Sequence, residues 1–190
     1  MELTGEDQHA ASGWTAAREL PRQRKIVVAV ASALLVVVCF ARFGFSGRAL
    51  VDSIFAAALL LLTAIDLDRR LIPNVIVLPA TALVLALQIA FYPSRTLEWV
   101  LATLGAALFF FIPAVVFPAG MGMGDVKLAA LLGAALGKGV VAAILVAVVS
   151  AAVVSLVILG REGLGARRKA IPYGPFLALG GLVVMLLGGR

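Results

Sequence analysis

Residues 121–160 read MGMGDVKLAALLGAALGKGVVAAILVAVVSAAVVSLVILG. Asp125, Lys127 and Lys138 are the only charged side chains in that run, and nothing in it alternates with a period of two. A spanning helix needs roughly 20 apolar residues, so the stretch is long enough to cross a bilayer, turn near Lys138-Gly139 and cross again. Unbroken runs of this kind exclude strands of a membrane barrel, which alternate and must be numerous enough to close. The whole chain agrees with the stretch. It is 63% hydrophobic with a mean hydropathy of +1.11, against about 45–50% apolar residues in soluble domains.

Working outward, the apolar runs predict an all-α polytopic membrane protein. Its spans fall at about 26–45, 49–66, 72–92, 97–118, 121–138, 139–160 and 171–188. That is seven crossings, or six if 121–160 merges into one helix. Residues 26–190 form the transmembrane domain. Residues 1–25 form a polar tail of mixed charge; a signal peptide has its basic residues first and a short apolar core behind them. Two of the spans are short for a core about 30 Å thick. From Val126 to Gly137 a helix covers about 18 Å at 1.5 Å per residue. Starting that helix at Met121, and the last one at Ile171, brings each closer to a full crossing.

Basic residues set the orientation. With the N-terminus in the cytoplasm, Arg18, Arg22, Arg24, Lys25, Arg69, Arg70, Lys127, Arg161, Arg167, Arg168 and Lys169 lie inside. Arg42, Arg48, Arg95, Lys138 and Arg190 lie outside. The net charge of +6 is therefore read as topology and not as nucleic-acid binding. The cluster Arg167, Arg168 and Lys169 anchors a helix to anionic lipid.

Asp125, flanked by Gly122 and Gly124, is an ionisable residue at the edge of an apolar segment. Asp costs about 2.5–3.5 kcal/mol at a helix centre on insertion scales, so an ionisable residue at membrane depth is functional by default. Asp66 and Asp68 close another apolar run, just before Ile72, Pro73 and Asn74. Residues i and i+2 on a helix face opposite ways; Asp66 directly follows Leu59–Ile65 and is preferred, while Asp68, beside Arg69 and Arg70, reads as a solvated loop charge. Under the charge bias Asp66, Asp125 and the segment Ile171-Pro172-Tyr173-Gly174-Pro175 share the cytoplasmic face. Two close carboxyl groups share one proton, so one can take a proton from water while the other polarises a carbonyl. That is the chemistry of an intramembrane aspartic protease. Gly122 and Gly124, without Cβ atoms, permit unusual φ values and close approach of a substrate backbone.

Other readings compete. Paired membrane carboxylates also serve a small proton- or cation-coupled transporter, but the inverted repeat that would support one is absent. One cysteine, Cys39, and one histidine, His9, leave no metal set and no disulfide framework, and no cofactor is expected. Gly133 and Gly137 form a GxxxG, which favours packing within the bundle over a homodimer face. Arg48 and Asp52 are spaced for a local pair near the outer surface. Asn74 serves either the site or the cap of the helix after Pro73. Phe109-Phe110-Phe111 reads as apolar bulk.

Three motifs in order carry a resemblance: Ile65-Asp66-Leu67-Asp68 with Leu71-Ile72-Pro73-Asn74, then Gly122-Met123-Gly124-Asp125-Val126-Lys127-Leu128, then Ile171-Pro172-Tyr173-Gly174-Pro175-Phe176-Leu177-Ala178. In these the chain resembles the prepilin peptidases, the GxGD type IV leader peptidases, over roughly residues 49–188. The resemblance implies cleavage of the basic leader of pilin, pseudopilin or Flp-type precursors at the cytoplasmic face of the inner membrane, with Asp66 and Asp125 catalytic. Gly122, Gly124, Lys127, Pro73, Asn74, Pro172, Tyr173, Gly174 and Pro175 are then positioned to shape the site. Larger relatives often add an N-terminal region with paired CxxC motifs, and many methylate the new N-terminus. With Cys39 alone, this chain resembles the compact members, and methylation is not carried over.

Overall fold

The computed structural model describes residues 20–116, 122–162 and 172–189. The polar segment up to residue 19, Met121, Ile171 and the basic run Arg167, Arg168 and Lys169 lie outside the described residues. Among the described residues seven α-helices follow one another: α1 (Arg22–Phe43), α2 (Gly47–Arg69), α3 (Asn74–Phe91), α4 (Thr96–Val116), α5 (Met123–Leu136), α6 (Val140–Glu162) and α7 (Gly174–Leu187). No strand occurs among the described residues. Five helical stretches are long and apolar enough to cross a membrane, with α7 a shorter apolar helix. The chain is an all-α polytopic membrane protein. The first helix among the described residues starts at Arg22, so Arg22, Arg24 and Lys25 lie in its first turns.

Hydropathy stays high from Met123 to Arg161, yet the chain reverses in the middle of this run. Gly137 takes φ +56°, a left-handed conformation that glycine adopts without strain, and Gly137–Gly139 form a single 3-10 turn. Packing on α7 confirms the reversal. Gly181 lies against Leu132 of α5, its neighbour Gly180 against Ala143 of α6, and Gly139 against Gly189. Two helices can flank α7 at one level only if the chain has doubled back between them. Residues 121–160 are thus two antiparallel helices.

The turn is fastened from its surroundings. Trp99 is buried and its ring fills the space a side chain at Gly137 would need, while Glu98 Oε1 accepts a bond from the Lys138 amide at 3.3 Å. Ending α5 strands its last carbonyls. One of them, Ala135 O, accepts a bond of 2.8 Å from Nε2 of the wholly buried Gln88 on α3. Replacing Gln88 by Ala leaves that carbonyl dry and unpaired, a cost of about 1–3 kcal/mol. A lowered thermal midpoint in detergent is the expected outcome.

α5 is the centre of the bundle: Leu128, Ala129 and every residue from Leu131 to Leu136 are buried. α2, α3, α4 and α7 surround it. α1 packs on α2 and α6 on α7, and both present mostly apolar side chains outward. Gly133 of the GxxxG sits against the Ala102 backbone of α4, and Gly137 against Trp99. Both glycines are used within the chain and offer no dimer face.

The two motif-bearing helices are shorter than the sequence reading expected. α5 begins at Met123 because Gly122 is extended (φ −83°, ψ 146°). α7 begins at Gly174, with Pro175 in its first turn. Each has 14 residues, about 21 Å. Their far ends meet the level of Lys138 and Gly189, so the shortfall lies wholly at the motif end.

Candidate active site

At that end three elements converge: the last turn of α2, the first turn of α5 and the start of α7. Asp66 is 6% exposed, and its Oδ2 is buried with no hydrogen-bond partner. Such an oxygen costs free energy unless it is used. Asp125 is half-buried in the first turn of α5, its amide bonded to Gly122 O at 3.1 Å. The two carboxyl groups stand within electrostatic reach of one another. Asp68, two residues after Asp66, is exposed on the same helix and ion-paired with Arg24 of α1. It belongs to a helical turn and is held by a partner, rather than being the solvated loop charge the sequence suggested.

The third motif closes on the first. The Gly174 amide lies beside the Asp66 carboxylate, and a Cβ at Gly174 would collide with Asp66 Oδ2. Only glycine lets α7 start so near that oxygen. Tyr173, half-buried, packs its ring 6.0 Å from Phe110 and 6.3 Å from Phe176. Its phenol is pushed above the ordinary value, first by burial and then by the negative charge of Asp125. The tyrosine thus lies within electrostatic reach of Asp125, while its neighbour Gly174 lies against Asp66. Pro172 and Pro175 flank the pair, each half-buried.

Two expectations about glycine are corrected. Neither Gly122 nor Gly124 takes a positive φ. Gly124 is helical, and a Cβ there would stand 3.0 Å from Cβ of Ile72; it makes room for the buried loop between α2 and α3. At Gly122, which is exposed, a Cβ would make only ordinary contacts, the nearest with Asp125 Oδ2 and the Gly124 amide nitrogen at 3.9 Å. Asn74 is not the cap of α3, since Pro73, which is buried, holds that position. Its Oδ1 accepts a 2.6 Å bond from Lys127 Nζ, tying α3 to α5 at the rim of the site.

Sequence reasoning missed Ile72 as the partner of Gly124 and Phe110 as the ring behind Tyr173. Phe110 is 2% exposed, whereas Phe109 is 61% exposed. Nothing in a run of three phenylalanines marks which one faces inward. The Arg48–Asp52 pair is found at the opposite end of α2, Nε to Oδ2 3.6 Å, with Asp52 fully buried.

Comparison with known proteins bears on this constellation. Residues 53–160, more than half of the chain, match the type IV leader peptidase family. A prepilin leader peptidase/N-methyltransferase of Pseudomonas putida is 34% identical over 169 residues, covering 85% of this chain and 58% of that protein. The protein of the same name from Pseudomonas aeruginosa is 31% identical over 173 residues, covering 88% and 60%. That from Bacillus subtilis is 30% identical over 150 residues, covering 77% and 59%. The chain thus spans somewhat over half the length of these relatives. No solved structure matches it. The matched region takes in Asp66 and Asp125 and the helices from most of α2 to α6, and the chain belongs to the type IV leader peptidase family.

Proposed function

We propose that the chain is a membrane-embedded aspartic endopeptidase. It removes the leader of type IV prepilin-like precursors, whether pilins, pseudopilins or Flp-type pilins, at the cytoplasmic face of the inner membrane. The observation that carries the reading is that Asp66 and Asp125, from separate motifs, lie within electrostatic reach of one another at one end of the bundle, with Gly174 of a third motif against Asp66. The excess of basic residues at that end supports a cytoplasmic site.

In this reading one carboxyl group is ionised and the other protonated. The ionised one takes a proton from water as its oxygen adds to the scissile carbonyl carbon, and the protonated one donates a hydrogen bond to the carbonyl oxygen. Proton transfer to the departing nitrogen then breaks the C–N bond, leaving a carboxylate on the leader and a free amine on the mature chain. The exposed Gly122, without a Cβ, lets the substrate backbone approach Asp125. Lys127 and Asn74, bonded to each other, hold the rim. The proposal covers cleavage alone; methylation, the second activity in the relatives' names, is no part of it.

A transporter needs a polar path across the membrane. Along α2, between Asp66 and Asp52, the inward side chains Phe55, Leu59 and Leu62 are buried and apolar, which disfavours that alternative.

The test is processing of a panel of prepilin-like precursors in membranes containing this chain. Shortened products with a new N-terminus are expected. No product from any precursor, together with proton or cation flux in vesicles, would overturn the assignment. A finer expectation concerns Gly174→Ala. Its methyl group displaces the Asp66 carboxylate, and misplacement on that scale costs about 10²-fold in rate. Cleavage should fall while the thermal midpoint changes little.

A further inference from the structure

At the end of the bundle away from the carboxylates, α4 and α6 stand apart. Between them is a cavity of about 810 Å³, open to the side. Its walls are apolar: Leu97, Gly105 and Phe109 on α4 face Val141 and Leu145 on α6. Gly105 has nothing within 4 Å of where its Cβ would stand, so no side chain of the described residues occupies the groove beside it. No helix of the described chain fills it.

The rim carries charge. Glu98 and Lys138 line the end of the groove, and Arg95 holds Glu98 through two bonds of 2.7 and 2.9 Å. Two cations against one carboxylate leave a net positive charge, with the Lys138 side chain exposed. The groove's depth is informative as well. From Leu97 to Phe109 it runs about 18 Å along α4, near the thickness of one leaflet, half of a core about 30 Å across. A helix crossing the membrane would need a groove about twice as long. A lipid needs one leaflet of apolar wall and a cation at the headgroup level.

We infer that the groove between α4 and α6 is a binding site for an anionic phospholipid of the leaflet opposite the carboxylates. Its acyl chains lie over Gly105 and its phosphate lies at Lys138. The site stands apart from the proposed hydrolysis, and its test does not depend on cleavage.

The test is native mass spectrometry of the purified chain, released from detergent in the presence of phosphatidylglycerol and phosphatidylethanolamine. Wild type should retain one phosphatidylglycerol in preference to the neutral lipid. Lys138→Ala should lower that retention about fivefold, the weight of one basic residue at a membrane surface. Gly105→Leu, which fills the groove, should expel both lipids; Val141→Phe fills it from the other wall and serves if the first variant does not fold. Leu34→Ala, on the exposed face of α1, should change nothing. Equal retention by wild type and the groove variants overturns the site. So does an equal loss on Leu34→Ala, which would mark unspecific annular lipid, or a protein adduct in the groove that displaces the lipid from wild type.

Discussion

Asp66→Asn and Asp125→Asn should each stop the proposed leader cleavage, lowering the rate by about 10²–10⁴-fold, while the chain stays folded in detergent. Asparagine keeps the shape of the side chain and removes its ability to take or give a proton, so binding of the precursor survives. Asp68→Asn is the internal control. It loses an ion pair whose arginine is 48% exposed, a contact worth about 0–1 kcal/mol, and should cleave at the wild-type rate. The outcome that sinks the two-carboxylate mechanism is cleavage that survives Asp125→Asn. The pH profile gives a second check. Two carboxyl groups in each other's field lose their protons in two steps that belong to the pair. The rate should peak where the pair holds one proton and fall on both sides. A profile that only rises with pH, as for one lone carboxylate acting as base, contradicts it.

Gly133→Val should have the largest effect on folding. A Cβ at this position lies 2.7 Å from Cα of Thr103 and closer still to the Ala102 carbonyl. These are backbone atoms and cannot rotate away, so α4 and α5 must separate. The expected cost is on the order of 3 kcal/mol, a large share of a typical stability of about 5–15 kcal/mol. The yield of folded, monodisperse protein should collapse. Gly105→Ala, on α4 in open space, should be neutral or stabilising by about 0.5–1 kcal/mol. Equal behaviour of the two substitutions in thermal unfolding contradicts the packing described for α5.

Much of this molecule is legible in its sequence, because a bilayer imposes length and apolarity on each crossing. The seven helices fall near the expected spans, and Gly137-Lys138-Gly139 announces the turn that divides the last long run. The choice of Asp66 over Asp68 as the inward residue follows from helical periodicity, which lets only one of them face the bundle, and from the apolar run that ends directly at Asp66. What was not legible depends on neighbours distant in the chain. Hydropathy cannot see that Gly122 is extended, so it starts α5 too early. It cannot assign Gly124 to Ile72, Gly174 to the Asp66 carboxylate, Gln88 to the Ala135 carbonyl, or Arg24 to Asp68. Each of these contacts joins two elements whose approach is decided only when the bundle is packed.

The brevity of α5 and α7 bears on how hydrolysis can occur in oil. Two adjacent helices of about 21 Å set in a hydrocarbon core of about 30 Å create a hydrophobic mismatch. Their opposite ends are level with the rest of the bundle, so all of the mismatch falls on the side of Asp66 and Asp125. Lipid answers such a deficit by local thinning. For the proposed reaction, the headgroups and their water are expected to sink toward the carboxylates, so that a leader would meet the site without being drawn to the middle of the membrane. Water for the hydrolysis would then arrive through a dimple in the bilayer, set by the length of two helices rather than by a channel.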